Sequence, residues 1–267
     1  MADADPCTEP EPPPGPGPAT PALRRIRTEV WLVLGLSLGQ SAVYSVISLA
    51  AKLTAGRPLA QQQATLNASV SPRPYLDLTY QLVGIGFTLV PVLLALWLLS
   101  EGGRSAAARL GLDARKPLLD LAAGAGLAAV IGLPGLGLYF AGRWLGITAQ
   151  VVPAALNDSW WAVPVLILQA VKNAVLEEVV AVGYLTSRLE ELGWPAWART
   201  GVSALLRGAY HLYQGFGPFL GNAVMGVVFA EWFRRSRRVL PLIIAHTLLD
   251  TVAFVGYTLF GKALGLG

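Results

Sequence analysis

The chain has 267 residues, 54% of them hydrophobic and only 13% charged, with a mean hydropathy of +0.53; an average soluble domain carries about 25% charged residues, so a soluble globular fold is excluded at the outset. The formal charge of +4 does not argue for nucleic acid, because the basic residues stand in short clusters between apolar runs, which is the pattern of topology determinants. Cys7 is the single cysteine, which excludes an internal disulfide and any cysteine-based metal site.

Residues 1–28 read as a disordered, proline-rich cytoplasmic tail. Eight prolines fall before residue 24, together with Asp3, Asp5, Glu9 and Glu11, and such a stretch cannot bury enough apolar surface to offset its ordering entropy. Arg24, Arg25 and Arg27 directly precede the first apolar run, as expected for a segment kept on the cytoplasmic side. That run comes too late, and is too long, for a cleavable signal peptide. Membrane helices are predicted at about 29–51, 78–100, 118–141, 160–186, 198–213, 217–233 and 240–260, most of them near the ~20 residues that cross ~30 Å of hydrocarbon. The expected fold is therefore an all-α polytopic bundle of about seven spans, six to eight because the fifth is short and weakly bounded. Residues 29–141 form its N-terminal helices and 142–267 a second region.

With the N-terminus inside, the clusters at 24–27, 104–116, 188–199 and 234–238 face the cytoplasm, and only Lys52, Arg57, Arg73, Arg143 and Lys262 lie outside, a bias that favours this orientation. Residues 53–77, polar and aperiodic, read as an exterior loop. Trp160, Trp161, Trp194 and Trp197 fall at helix ends as interfacial anchors, and Arg234, Arg235, Arg237 and Arg238 anchor topology. Gly35 with Gly39, and Gly217 with Gly221, have the spacing that lets membrane helices approach closely.

Charge inside the spans carries the functional information. An ionised side chain at mid-membrane costs about 2.5 to 3.5 kcal/mol, so such residues face a cavity or a partner. The fourth span carries Lys172, Glu177 and Glu178, the fifth Arg207 and His211, the seventh His246 and Asp250, and the two histidines are the only ones in the chain. At about 1.5 Å rise per residue, Glu177, His211 and His246 lie roughly 13, 18 and 10 Å from the cytoplasmic helix ends and can meet at one level. Asp250 follows His246 by four residues and His211 follows Arg207 by four, so each pair shares a helix face. Glu177 and Glu178 point about 100° apart, which makes one reactive and the other supportive. Lys172 reads as an ion-pair partner.

A carboxylate and an imidazole flanking one water can serve as general base and then general acid. A second imidazole with a short polar side chain one turn away can hydrogen-bond the oxyanion of an attacked amide. No Gly-x-Ser-x-Gly elbow is present, which disfavours a serine nucleophile, and Cys7 in the tail disfavours a cysteine one.

Glu177-Glu178 followed by Gly183-Tyr184, then Tyr210-His211-Leu212-Tyr213-Gln214-Gly215, then His246 with Asp250, resemble the CPBP family of intramembrane proteases, which includes CaaX prenyl endopeptidases of the Rce1 type and bacteriocin-processing or immunity proteins. The resemblance spans about 160–260 and makes 142–267 the catalytic region. It implies an endopeptidase in which Glu177 and His211 activate water, His246 and Asp250 stabilise the oxyanion, and Glu178 supports. The older family name implies a metal, and zinc, held by Glu177, His211 and His246, is the candidate beside a metal-free glutamate mechanism. Two positions depart from the pattern. Val182 stands where the first motif usually has arginine, and Arg207 where the second usually has phenylalanine, and the expectation is that Arg207 supplies the missing cation to Glu178 from the neighbouring helix.

The implied substrate is a membrane-associated protein or peptide in the bilayer, and no nucleic-acid partner is expected. The Ala, Gly, Pro and Arg usage resembles that of a GC-rich bacterium, hence a plasma-membrane location and a substrate that is not prenylated. Two other classes accommodate buried charge. A transporter would spread polar residues along both halves of several helices, whereas these cluster in the inner half of three. A non-catalytic partner or immunity protein of the same fold is the reading that Val182 leaves open.

Overall fold

The computed structural model describes residues 20–100, 105–156 and 158–260. Within them the chain is an all-α bundle, as expected, with a single pair of short strands. Residues 1–19 of the expected tail lie outside the described residues, but the tail's last part is helical: α1 (Pro21–Gly35) starts on Pro21 with Thr20 accepting the Leu23 N–H at 3.4 Å. Proline at the first helical position is preorganised for helix, and the Thr20 cap satisfies an orphan donor. Glu29 then secures this end, taking Arg25 of α1 at 2.8 Å and the buried Arg188 at 2.9 Å.

α1 meets α2 (Leu38–Leu53) at a 51° bend. α3 (Pro74–Thr88) runs into α4 (Val90–Leu99) across a break at Leu89, where Pro91 has no N–H to continue the ladder. A single turn, α5 (Ala106–Arg109), leads to α6 (Pro117–Trp144). α7 (Ala162–Glu177) continues through a π-helical segment (Glu178–Tyr184) into α8 (Leu185–Glu191), and α9 (Ala196–Ala209), α10 (Phe216–Ser236) and α11 (Leu240–Phe260) complete the chain. Among the described residues, four helices (74–99, 117–144, 216–236 and 240–260) are long and apolar enough to cross a membrane, or five if the bent α1–α2 pair is one span. The expected count of seven is not reached by this measure. The fourth predicted span is broken by its π segment and loaded with charge, and α9, with 14 residues, is only about 21 Å long.

α11 packs on α6 and α7, and α10 on α9 and α6. One apolar cluster runs from Val33 of α1 and Ala95 of α4 through Val180 to Phe229 of α10 and Leu242 of α11. The N-terminal helices and the region after residue 141 therefore share a core, and α6 runs across the expected boundary to Trp144.

The segment read as an aperiodic exterior loop has structure of its own. β1 (Gln63–Thr65) pairs in parallel with β2 (Gln150–Val152), Ala64 opposite Val151. The β2 arm is held against the turn after α9: Ala149 N–H donates to Gln214 O at 2.9 Å and Phe216 N–H to Ile147 O at 2.9 Å. Gly215 makes this possible, with φ +112° and no room for a Cβ beside Ile147 O. The turn so clamped is the one that carries His211.

Candidate active site

α7 and the π segment deliver the two glutamates. π-helical turns are uncommon and concentrate at functional sites, where the extra residue re-aims side chains. Here the Glu178 side chain is sealed at 0% exposure while that of Glu177 keeps 12% of its surface, so the two acids differ in exposure although both reach Arg207 and His246.

α9 delivers the cation. Arg207 is fully buried and spans both acids, with Nη2 donating to Glu178 Oε1 at 2.6 Å and Nη1 to Glu177 Oε2 at 3.3 Å. Its guanidinium also lies over the Phe229 ring, 5.3 Å from the centroid. Two features draw α9 this deep. Gly226 of α10 faces Ala204, where a Cβ would lie 2.7 Å from the Ala204 Cα, and Ser203 Oγ donates to Ala181 O of the π segment at 2.7 Å. The Glu178–Arg207 pair anticipated from the two motif departures is thus present, and Val182 is an apolar core residue at 0% exposure.

His246 of α11 closes the cluster. Its Nδ1 meets Glu178 Oε1 at 2.7 Å, and its Nε2 lies 3.9 Å from Glu177 Oε2 and 3.7 Å from Asp250 Oδ1. An ionised carboxylate only accepts, so Nδ1–H is the donor and Nε2 faces Glu177 and Asp250. Glu177, Glu178 and His246 offer ligand atoms all within 4.8 Å of one another. His211 is not in that group and makes no ion pair with either glutamate among the described residues. It sits just past the end of α9, its ring tilted 42° against Tyr210 with centroids 4.8 Å apart, and its Nδ1 lies 2.9 Å from Arg207 O. A carbonyl also only accepts, which assigns the proton to Nδ1 and the lone pair to Nε2.

Two further side chains belong to the site. Tyr210 Oη donates to Glu177 Oε2 at 2.7 Å, and Asn173 Nδ2 donates to Asp250 Oδ2 at 3.2 Å. The signals were present in the sequence: Tyr210 adjoins His211, and Asn173 is a polar residue one turn before Glu177 in an apolar helix. Lys172, expected as an ion-pair partner, makes none among the described residues.

Residues 159–252 match the family model of Rce1-like proteins, the type II CAAX prenyl endopeptidases. That segment is similar to the CPBP/CAAX protease family. The matched CAAX-protease segment contains all of the clustered side chains and leaves α1 to α6 outside it. Together with the chain's apolar helices, this similarity fits a multi-pass membrane protein with a CAAX-protease-like segment. Searches of curated proteins and of solved structures return no match.

Proposed function

We propose that this chain is an intramembrane endopeptidase that hydrolyses a peptide bond of a membrane-associated protein or peptide with water activated by Glu177 and His211. One observation carries the reading. Glu177 Oε2 is engaged by Tyr210 and Arg207, whereas Oε1 has no hydrogen-bond partner among the described residues and the side chain keeps 12% of its surface exposed. A carboxylate so held presents one lone pair to a water and receives its proton, while His211, its Nδ1–H fixed by Arg207 O, offers Nε2 from the α9 side. The hydroxide adds to the scissile carbonyl carbon, and the oxyanion is stabilised by Nε2–H of His246, which as an imidazolium also keeps its Nδ1–H on Glu178, with Asp250 and its partner Asn173 beside that ring. Glu177 returns the proton to the departing amine nitrogen as the C–N bond breaks.

The residues fit zinc poorly. Glu178 Oε1 already takes both Arg207 and His246 Nδ1, and a guanidinium lies against both carboxylates, where it would repel a dication. No step is therefore routed through a metal, and Glu178 and Arg207 act as the framework that holds Glu177 and His246. The orientation proposed from the basic clusters opens the site toward the cytoplasm of a bacterial plasma membrane.

The test is a comparison of peptide termini in membrane fractions from cells carrying wild type and Glu177→Gln. New termini present only with wild type, abolished equally by His211→Ala and insensitive to a zinc chelator, are expected; losing a general base costs about 10²- to 10⁴-fold in rate. Identical termini in all strains would sink the protease reading, and chelator-sensitive cleavage would sink its metal-free form.

A further inference from the structure

Away from the site, α9 and α10 diverge at their basic ends around an open groove of about 610 Å³ lined by Trp197, Thr200, Gly201, Val227, Glu231 and Arg234. It shares Thr200 and Arg234 with a narrow recess that also contains Arg199 and Arg237. The charges around it do not cancel. Arg199 and Arg237 share the one carboxylate of Glu190, and Arg234 and Arg235 share that of Glu231, leaving a positive surplus at both corners. Donors remain as well. Arg234 binds Glu231 through Nε and Nη2, Arg237 binds Glu190 through its two Nη groups, and the Thr200 hydroxyl has no partner among the described residues. Trp197, 79% exposed, stands at the basic end beside the arginines, and deeper along both helices the exposed face turns apolar through Leu205 of α9 and Val224 of α10.

An anion-binding head above an apolar trough, at the end of a membrane-embedded helix pair, matches one molecule in shape and charge. We propose that the α9–α10 groove binds an acidic phospholipid, its phosphate among Arg199, Arg234, Arg237 and the Thr200 hydroxyl, with Trp197 at the headgroup level and an acyl chain over Gly201 and Val227. Glu231 faces the same groove and tempers the attraction, because its carboxylate occupies two of the guanidinium groups. This site is independent of the peptidase reading.

Gly201 provides a steric test without touching charge: a Cβ there meets nothing within 4 Å, so Gly201→Trp should fold and fill the trough. Gly126 on α6, equally open, is the matched control. The purified full chain in detergent is titrated with dioleoylphosphatidylglycerol, dioleoylphosphatidylcholine or inorganic phosphate, and lipid adducts are counted by native mass spectrometry, with thermal unfolding verifying that each variant folds. A single phosphatidylglycerol held at least tenfold more tightly than phosphatidylcholine is expected. It should be lost in Gly201→Trp and in Arg199→Ala with Arg234→Ala, kept in Gly126→Trp, and strengthened several-fold in Glu231→Gln. Equal retention of the two lipids, or full binding by folded Gly201→Trp, would overturn the proposal. So would displacement of the lipid by millimolar inorganic phosphate, which would identify a free-anion pocket instead.

Discussion

Replacing Arg207 with phenylalanine removes the guanidinium paired with Glu178, leaving His246 as that carboxylate's remaining partner among the described residues and an aromatic ring to pack on Phe229. The effect follows from burial. Glu178 is 0% exposed, its Oε1 loses a 2.6 Å partner, and its Oε2 already has no hydrogen bond. Deleting one member of a buried ion pair strands the other and costs about 3 to 5 kcal/mol, which for a chain of this length lowers Tm on the order of 10 °C. Tryptophan fluorescence of the full chain during thermal unfolding in detergent reads this directly. Two second-site changes separate charge from shape. Glu178→Gln in the Arg207→Phe background removes the stranded charge and should recover at least half of the loss. Val182→Arg returns a cation four residues along Glu178's own helix and should recover stability together with part of the activity. An Arg207→Phe protein that melts with wild type and cleaves normally, or one that Glu178→Gln does nothing to rescue, would refute the argument that this pair holds the site.

Tyr210→Phe deletes the hydrogen bond to Glu177 Oε2 and nothing larger; a bond to a charged group is worth about 1.5 to 3 kcal/mol, so kcat should fall roughly ten- to a hundredfold with KM little changed, measured on whichever substrate the terminal profiling yields. A fall in KM affinity alone would place Tyr210 in substrate binding instead. At the end of α8, outside the spanning segments, hydrogen bonds from Arg237 and Arg199 pull the Glu190 carboxyl from its ordinary 4.5 down to about 2. Its contribution to stability is thus complete above about pH 4.5 and is lost as pH falls toward 2, so the Tm gap between wild type and Glu190→Gln should hold constant from pH 6 to about 4.5 and narrow below that; a gap still unchanged at pH 3 would mean the pairs contribute nothing. Gly217→Ala should lower Tm, because a Cβ there runs into Thr148 Oγ1, which is fully buried beside Gly142; overpacking of this kind costs about 1 to 3 kcal/mol, and an unchanged melting curve would show that the α6–α10 contact yields.

Much of this was legible because hydrocarbon makes misplaced charge conspicuous. The helices followed from apolar length, and Glu177, Glu178, Arg207 and His246 stood out against runs of Leu, Val and Ala. Helical spacing also suggested that the adjacent glutamates could not both face one cavity, whereas both reach Arg207 and His246 and differ only in exposure. What periodicity could not reveal is how three-dimensional contacts redefine the elements. The β1–β2 pairing joins residues 63–65 to 150–152, and only the fold brings them together, so the loop looked shapeless. The helix at Pro21 was hidden because proline reads as a breaker unless the Thr20 cap before it is recognised. The seven expected spans assumed that every apolar run is a membrane-crossing cylinder, whereas α9 ends early so that His211 can leave the helix at the level of the glutamates.

That early ending leaves Arg207, two residues from the end of α9, within reach of both glutamates. From this position Arg207 organises the site at both its ends: the guanidinium reaches Glu177 and Glu178, and the backbone carbonyl receives Nδ1–H of His211. The two functions are separable, since side-chain replacement removes the first and leaves the second. In Arg207→Phe the imidazole should therefore keep its tautomer and position while the carboxylates lose theirs, and activity restored by Val182→Arg would mean that the glutamates need a cation among them but do not need it to come from the helix that holds the histidine.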